Sequence, residues 1–278
     1  MRKTVTILLI VFLMAIIVGV SFLFVMLMNG NLKINGFRFN FGSSYIKEVA
    51  VDESYDNVFD SININTTAGD INIHVSDSEK IVLVIHNKKE RTTVNTDNNT
   101  LDINVDSKKC NFFCVNPKIA KVDLYIPSDY DKDIIINSQY GDVKIKNLEN
   151  TNFDIKSNYG DIKINKTNTA KLDLDYGDIK IDSVNELIVN SNYGDIKVDE
   201  VNNYLNIDCD YGDIKLNNVT LTKDSKIKND FGDVEIKNIK NVYIDAKTDL
   251  GDKDIKGNDR TSDITLTIKV DCGDIEVN

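Results

Sequence analysis

"NYGDIK" occupies residues 158–163 and returns unchanged at 192–197, while "DYGDIK" stands at 175–180 and again at 210–215. Collecting every such pair gives Gly69-Asp70, then Gly141-Asp142, Gly160-Asp161, Gly177-Asp178, Gly194-Asp195, Gly212-Asp213, Gly232-Asp233, Gly251-Asp252 and Gly273-Asp274. From Gly141 onward the spacings are 19, 17, 17, 18, 20, 19 and 22 residues. A period this short marks an internal repeat whose units bury themselves only against their neighbours.

Within one unit the apolar residues alternate as strands do. Five positions before the glycine stand Ile136, Ile155, Leu172, Val189, Ile207, Ile227, Ala246 and Ile268. Two and four positions after it come pairs such as Val143/Ile145, Ile162/Ile164, Ile179/Ile181 and Ile214/Leu216. A further apolar residue at plus seven (Leu148, Val184, Val201, Val219, Ile239) marks the corner toward the next unit. The expected unit is a strand, a glycine bend, a second strand and a short polar turn. Stacking such units predicts an all-β fold, a parallel β-solenoid of coils of about 17–20 residues with rungs about 4.8 Å apart.

This arrangement explains the repeated tripeptide. Glycine turns the chain between two sheets through backbone conformations that a side chain hinders. Before it stand Tyr140, Tyr159, Tyr176, Tyr193, Tyr211 and Phe231, so the fold predicts a column of stacked rings. The Asp after each glycine is placed to accept backbone amides at the bend. Lys144, Lys163, Lys180, Lys197 and Lys215 share the outer face and are expected to reach the carboxylates of neighbouring rungs. Glu235, Asp254 and Glu276 replace them toward the C-terminus.

Two departures stand out. Lys253 occupies an inward position in "LGDKDIKG", which predicts a bulged or shifted rung, and the chain ends at "GDIEVN", which predicts an open sheet edge at the C-terminal strand. Residues 45–139 read as degenerate N-terminal coils and cap, with "FDSININTTAGDINIHV" (59–75) matching the unit, and 140–278 as the regular repeats.

The first residues set the expected compartment. After Met1-Arg2-Lys3, residues 4–28 carry no charge. As a helix this run of 25 residues reaches about 37 Å, more than the roughly 30 Å of a bilayer's hydrocarbon core. No small-x-small cleavage site and no lipobox cysteine follow, so an uncleaved transmembrane helix is expected. The basic flank puts residues 1–3 in the cytoplasm, 29–44 outside as a stalk, and 45–278 as an extracytoplasmic domain of a single-pass bacterial membrane protein. The formal net charge is -11, and without Arg2 and Lys3 there remain 31 basic residues against 44 acidic ones, which speaks against a nucleic-acid partner.

A membrane anchor followed by "YGDVKI" (140–145) and "YGDIKI" (176–181) resembles the bacterial putative adhesin family, a membrane-anchored Gly-Asp-Ile repeat domain of unknown function. The resemblance covers about residues 50–278 and implies a non-catalytic β-solenoid module at the cell envelope. It carries over no binding residues.

The chemistry points the same way. A row of carboxylates suits calcium, but calcium-binding repeats use glycine-rich nonapeptides, half the present period. An active site is one special constellation, whereas these Asp and Lys residues recur in every unit. His74 and His86, the two histidines, lie in strand-like stretches without a nucleophile signature. No catalytic residue, cofactor or metal site is assigned. Cys110 and Cys114 would be too far apart in a strand to bridge, so a disulfide needs a tight loop, which Asn116-Pro117 suggests, and both states stay open. Cys209 and Cys272 read as core thiols. The expected function is binding or interaction, adhesin-like or tied to envelope stress, with an unknown protein or a cell-wall polymer as partner. The alternatives are a carbohydrate-active β-helix enzyme and a spacer rod that self-associates through the C-terminal sheet edge.

Overall fold

The structure, a computed structural model, describes residues 32–34, 37–39, 44–107 and 118–278. The expected anchor at 4–28 and the Cys110/Cys114 pair lie outside the described residues. Among the described residues no helix is long and apolar enough to cross a membrane. The chain divides into two compact units. In the first (1–45 and 110–118), Leu32–Ile34 pairs antiparallel with Phe37–Phe39. The second (46–109 and 119–278) holds the repeats and is described from here on.

Each coil contributes to two sheets. The strand before the bend pairs with its equivalent in the next coil, and so does the strand after it, in register and in parallel: Ile155↔Leu172, Leu172↔Val189 and Val189↔Ile207 in one sheet, Ile162↔Ile179, Ile179↔Ile196 and Ile196↔Ile214 in the other. Equivalent residues therefore stack, and the alternation read from the sequence becomes columns. In the coil that carries Ile179–Tyr193, the side chains of Ile179, Ile181, Val184, Leu187 and Val189 are at most 2% exposed. Sealing each aliphatic side chain contributes about 1.5–3 kcal/mol, and because every column is shared between coils no unit is stable alone.

The corner differs from the expected polar turn. Ile162–Tyr176, Ile179–Tyr193 and Ile196–Tyr211 run as continuous strands from one sheet to the next, because Thr167, Val184 and Val201 keep the ladder paired through the corner. Thr167 is buried among these apolar neighbours with its hydroxyl donating to Thr151 O at 2.7 Å.

The N-terminal part follows the plan only in its middle. Ser61–Thr66 and Gly69–Ser76 form a true rung that stacks on the first regular coil, Ile64↔Ile136 and Ile71↔Val143. Beyond it each sheet gains one more parallel strand, Thr100–Val105 on Ser61–Thr66 and Lys118–Pro127 on Gly69–Ser76, and only then turns antiparallel: Thr92–Asp97 closes the first sheet, and Lys80–His86 followed by Val49–Asp56 closes the second. Antiparallel pairs need only short loops, so they can finish an array whose parallel pairs each need a full coil.

The C-terminal end overturns two expectations. The last strands do not form the edge: Thr265–Cys272 and Ile275–Val277 insert between the Gly232 and Gly251 rungs, giving Ile227↔Ile268 and Ala246↔Ile268 in one sheet and Val234↔Ile275 and Lys253↔Ile275 in the other. The edge is the Gly251 rung, and its register is unbroken rather than bulged. Lys253 accounts for the order. An inward-facing ammonium cannot be buried between two rungs, but at the end it snorkels out and donates to Ala246 O at 2.8 Å. The loop that follows folds back over the same edge. Asn258 Oδ1 accepts Ile244 N–H at 2.9 Å and its Nδ2 donates to Ile244 O at 3.0 Å, in place of a further strand. The terminal edge is thus the Gly251 rung rather than the last strand, and the side chains of Asn258 and Lys253 engage its Ile244 and Ala246 backbone.

The Gly-Asp bend face as candidate binding site

The bend at Gly177 shows how the repeated tripeptide works. Gly177 takes φ +145°, and a Cβ there would lie 2.2 Å from Gly160 O, so both the conformation and the closeness of the neighbouring rung require glycine. Every bend glycine from Gly141 to Gly273 has φ between +132° and +157°. Gly177 N–H donates to Tyr193 O at 3.0 Å and Ile179 N–H to Asp195 O at 2.9 Å, both on the following rung. Asp178 N–H between them has no carbonyl to meet and donates to Asp161 Oδ1 of the preceding rung at 3.0 Å. The same carboxylate-to-amide link runs from Asp70 through Asp142, Asp161, Asp178, Asp195, Asp213 and Asp233 to Asp274 and Asp252, at 2.7–3.2 Å. One oxygen of each carboxylate from Asp70 to Asp233, and of Asp274, is therefore structural.

Beside this ladder the rings of Tyr140, Tyr159, Tyr176, Tyr193, Tyr211 and Phe231 stack with centroids 4.8–5.0 Å apart and planes within 3–4°. Each ring is 43–46% exposed. The faces cover one another, so the column offers its ring edges and hydroxyls to solvent. Cys272, not Leu250, follows Phe231 because of the inserted rung.

The lysines behave differently from expectation. Lys144 Nζ pairs with Asp142 at 3.1 Å and Lys215 Nζ with Asp213 at 3.5 Å, each within its own rung rather than across rungs. A side chain two residues along the same strand face is reached without crossing the neighbouring lysine. Lys163, Lys180 and Lys197 form no ion pair among the described residues. With the Asp column they line a groove of about 570 Å³ along the bend face that also touches Ile162 and Ile179. Further along, Glu235 is held by Lys237 at 2.5 Å and Asp254 by Lys256 at 3.0 Å.

Two features lay beyond the sequence reading, and Cys209 matched it as a core thiol. The inward position three before the glycine holds small or polar residues in most rungs, among them Ser138, Ser157, Ser191 and Asn229, with Leu174 and Val270 as exceptions. Asn229 Nδ2 donates to Gly212 O and Gly232 O at 3.0 and 2.9 Å and Thr248 Oγ1 to Gly273 O at 2.9 Å, whereas Ser157 Oγ and Ser191 Oγ have no partner among the described residues; the signal for this column was the recurrence of small polar residues there. His74, read only as lying in a strand-like stretch without a nucleophile signature, contacts the buried Asp123 at 3.2 Å and stacks on Tyr125 with centroids 4.7 Å apart. Lys121 Nζ holds the other oxygen of Asp123 at 2.8 Å. Cys209 is fully buried and burial pushes its thiol up to about 11, despite an opposing hydrogen bond from the Tyr211 backbone. Among the described residues no group of three or more His, Cys, Asp or Glu side chains is placed to hold a metal ion.

Several solved structures are similar to this chain. A "putative adhesin" from Bacteroides fragilis NCTC 9343 is 19% identical, with 85% of this chain and 100% of that chain covered and a TM-score of 0.49. A "putative adhesin" from Parabacteroides distasonis ATCC 8503 is 12% identical over 84% and 99%, with a TM-score of 0.46. A "putative lipid binding protein" from the same organism is 16% identical over 82% and 97%, with a TM-score of 0.42. A comparison with curated proteins gives no match. The family model for Toastrack DUF4097 matches residues 59–278, most of the chain and all of its Gly-Asp rungs, and the chain belongs to that family.

Proposed function

We propose that this protein is a membrane-anchored, non-catalytic module of the bacterial cell envelope that binds a linear partner along its Gly-Asp bend face. The observation that carries the reading is the groove in which Lys163, Lys180 and Lys197 stand in register, without ion pairs, beside carboxylates fixed by backbone amides. Like charges held in a row without an ion pair among the described residues are a cost to the fold. A partner that supplies the missing contacts recovers it. The uncharged run at 4–28 supports the anchor, and the acidic balance supports a partner other than nucleic acid. The identity of the coils favours recognition of a repeating partner over a single reacting group.

The test incubates the full chain, held in lipid nanodiscs, with fragments of envelope polymers and follows both retention and polymer length. Saturable retention without shortening is expected. Time-dependent shortening would make the protein an enzyme, and no retention of any envelope polymer would refute the binding reading.

A further inference from the structure

We propose that the groove selects a zwitterionic linear polymer, one whose repeat carries both an anion and a cation. This rests on the binding reading above and names its ligand class.

The argument is electrostatic. Asp and Lys alternate on one strand face, so parallel stacking turns them into two rows of opposite sign, Asp161, Asp178 and Asp195 against Lys163, Lys180 and Lys197. The rows are about 6.6 Å apart along the strand and their members about 4.8 Å apart between rungs. A chain lying between them meets both signs at similar distances. A uniform polyanion gains at the lysines what it loses at the aspartates, and a polycation suffers the reverse. Only a repeat that is dipolar across the groove gains on both sides.

The ends of the groove agree. At Lys144 and Lys215 the ammonium folds onto its own rung's carboxylate, which leaves three central rungs open. Beyond Lys215 the lysine row becomes Glu235 and Glu276 in register, so both rows are acidic and the dipolar pattern stops. The open carboxylates are also preorganised. Asp161, Asp178 and Asp195 each have Oδ1 fixed on the next rung's amide, so these groove-lining carboxylates have little freedom left to lose on binding.

The probe is poly(glycerol phosphate) carrying alanyl esters, whose repeats bear a phosphate and an ammonium. The comparison ligands are the same polymer after mild alkaline removal of the esters, poly-lysine, and dextran. Binding to the full chain in nanodiscs is read by biolayer interferometry against empty nanodiscs. The esterified polymer is expected to bind at least about tenfold more tightly than the other three, and more weakly as salt rises. The triple variant Lys163→Gln, Lys180→Gln, Lys197→Gln should reduce it to the level of the de-esterified polymer. Lys226→Gln, on the other sheet, should leave it unchanged. The inference is overturned if the de-esterified polymer, poly-lysine or dextran binds as well as the esterified one, if the triple variant binds normally, or if the esterified polymer does not bind. The broader binding reading falls only if no envelope polymer is retained.

Discussion

Replacing Gly177 by Ala tests the close approach on which the array depends. The backbone there has φ +145°, a region reserved for glycine, and holding a non-glycine residue in it costs about 1–3 kcal/mol. The new Cβ would also sit 2.2 Å from Gly160 O, an atom of the backbone that no rotamer change removes. To restore ordinary contact the two rungs must part by more than about 1 Å, which weakens the links Gly160 N–H to Tyr176 O and Ile162 N–H to Asp178 O, at about 1 kcal/mol each. The expected loss is about 3–5 kcal/mol, a large share of the about 5–15 kcal/mol that keeps a domain folded. Gly257 supplies the control. Its φ is +71° and nothing lies within 4 Å of the added atom, so Gly257→Ala should cost only about 1–2 kcal/mol. Urea unfolding of the full chain in detergent, followed by circular dichroism, compares the midpoints once equal m values are verified. Equal losses for the two variants would refute the close-approach argument.

Other perturbations read other parts of the account. Asp178→Ala removes the acceptor of Asp195 N–H and should cost about 1–2 kcal/mol, whereas Asp178→Asn keeps an oxygen there and should cost less than about half as much, by the same unfolding assay. Because the folded Cys209 thiol is raised to about 11 from an ordinary value of 9, the unfolded chain ionises first, and stability should fall as pH rises from about 9 through 11. Cys209→Ala should flatten that part of the pH profile, and a maleimide should label Cys209 only after unfolding. Asn258→Ala should speed amide hydrogen exchange at Ile244, and combining it with Lys253→Ile should produce concentration-dependent association in sedimentation, because the terminal rung is then uncapped.

What could be read in advance was whatever repeats. The apolar positions at minus five, plus two and plus four recur in register, so burial alone specifies two sheets and their stacking, and Tyr-Gly-Asp locates the bend without a structure. What could not be read depends on contacts made once. The inserted last rung is favoured by a single inward lysine, Lys253, which looks like a local defect until its place at the end of the stack is known. Asn258 closes the edge from 14 residues away. His74 meets Asp123 across 49 residues through the sheet, with no spacing rule to announce it. At the bend face the charge types were legible, but the partition was not: within-rung pairing of Lys144 and Lys215, with the lysines between them left open, follows from side-chain geometry rather than composition.

The most direct measurement is a pair of engineered disulfides on the bend face. Lys163 and Lys180 are register partners on adjacent rungs, which puts their Cα atoms about 4.8 Å apart, within the range a disulfide spans, whereas Lys163 and Lys197 are two rungs and about 9.6 Å apart. Under mild oxidation of the folded full chain, peptide mapping should find the intramolecular bridge in Lys163→Cys/Lys180→Cys and none in Lys163→Cys/Lys197→Cys. Equal bridging in both, or bridging only in the second, would contradict the in-register stack.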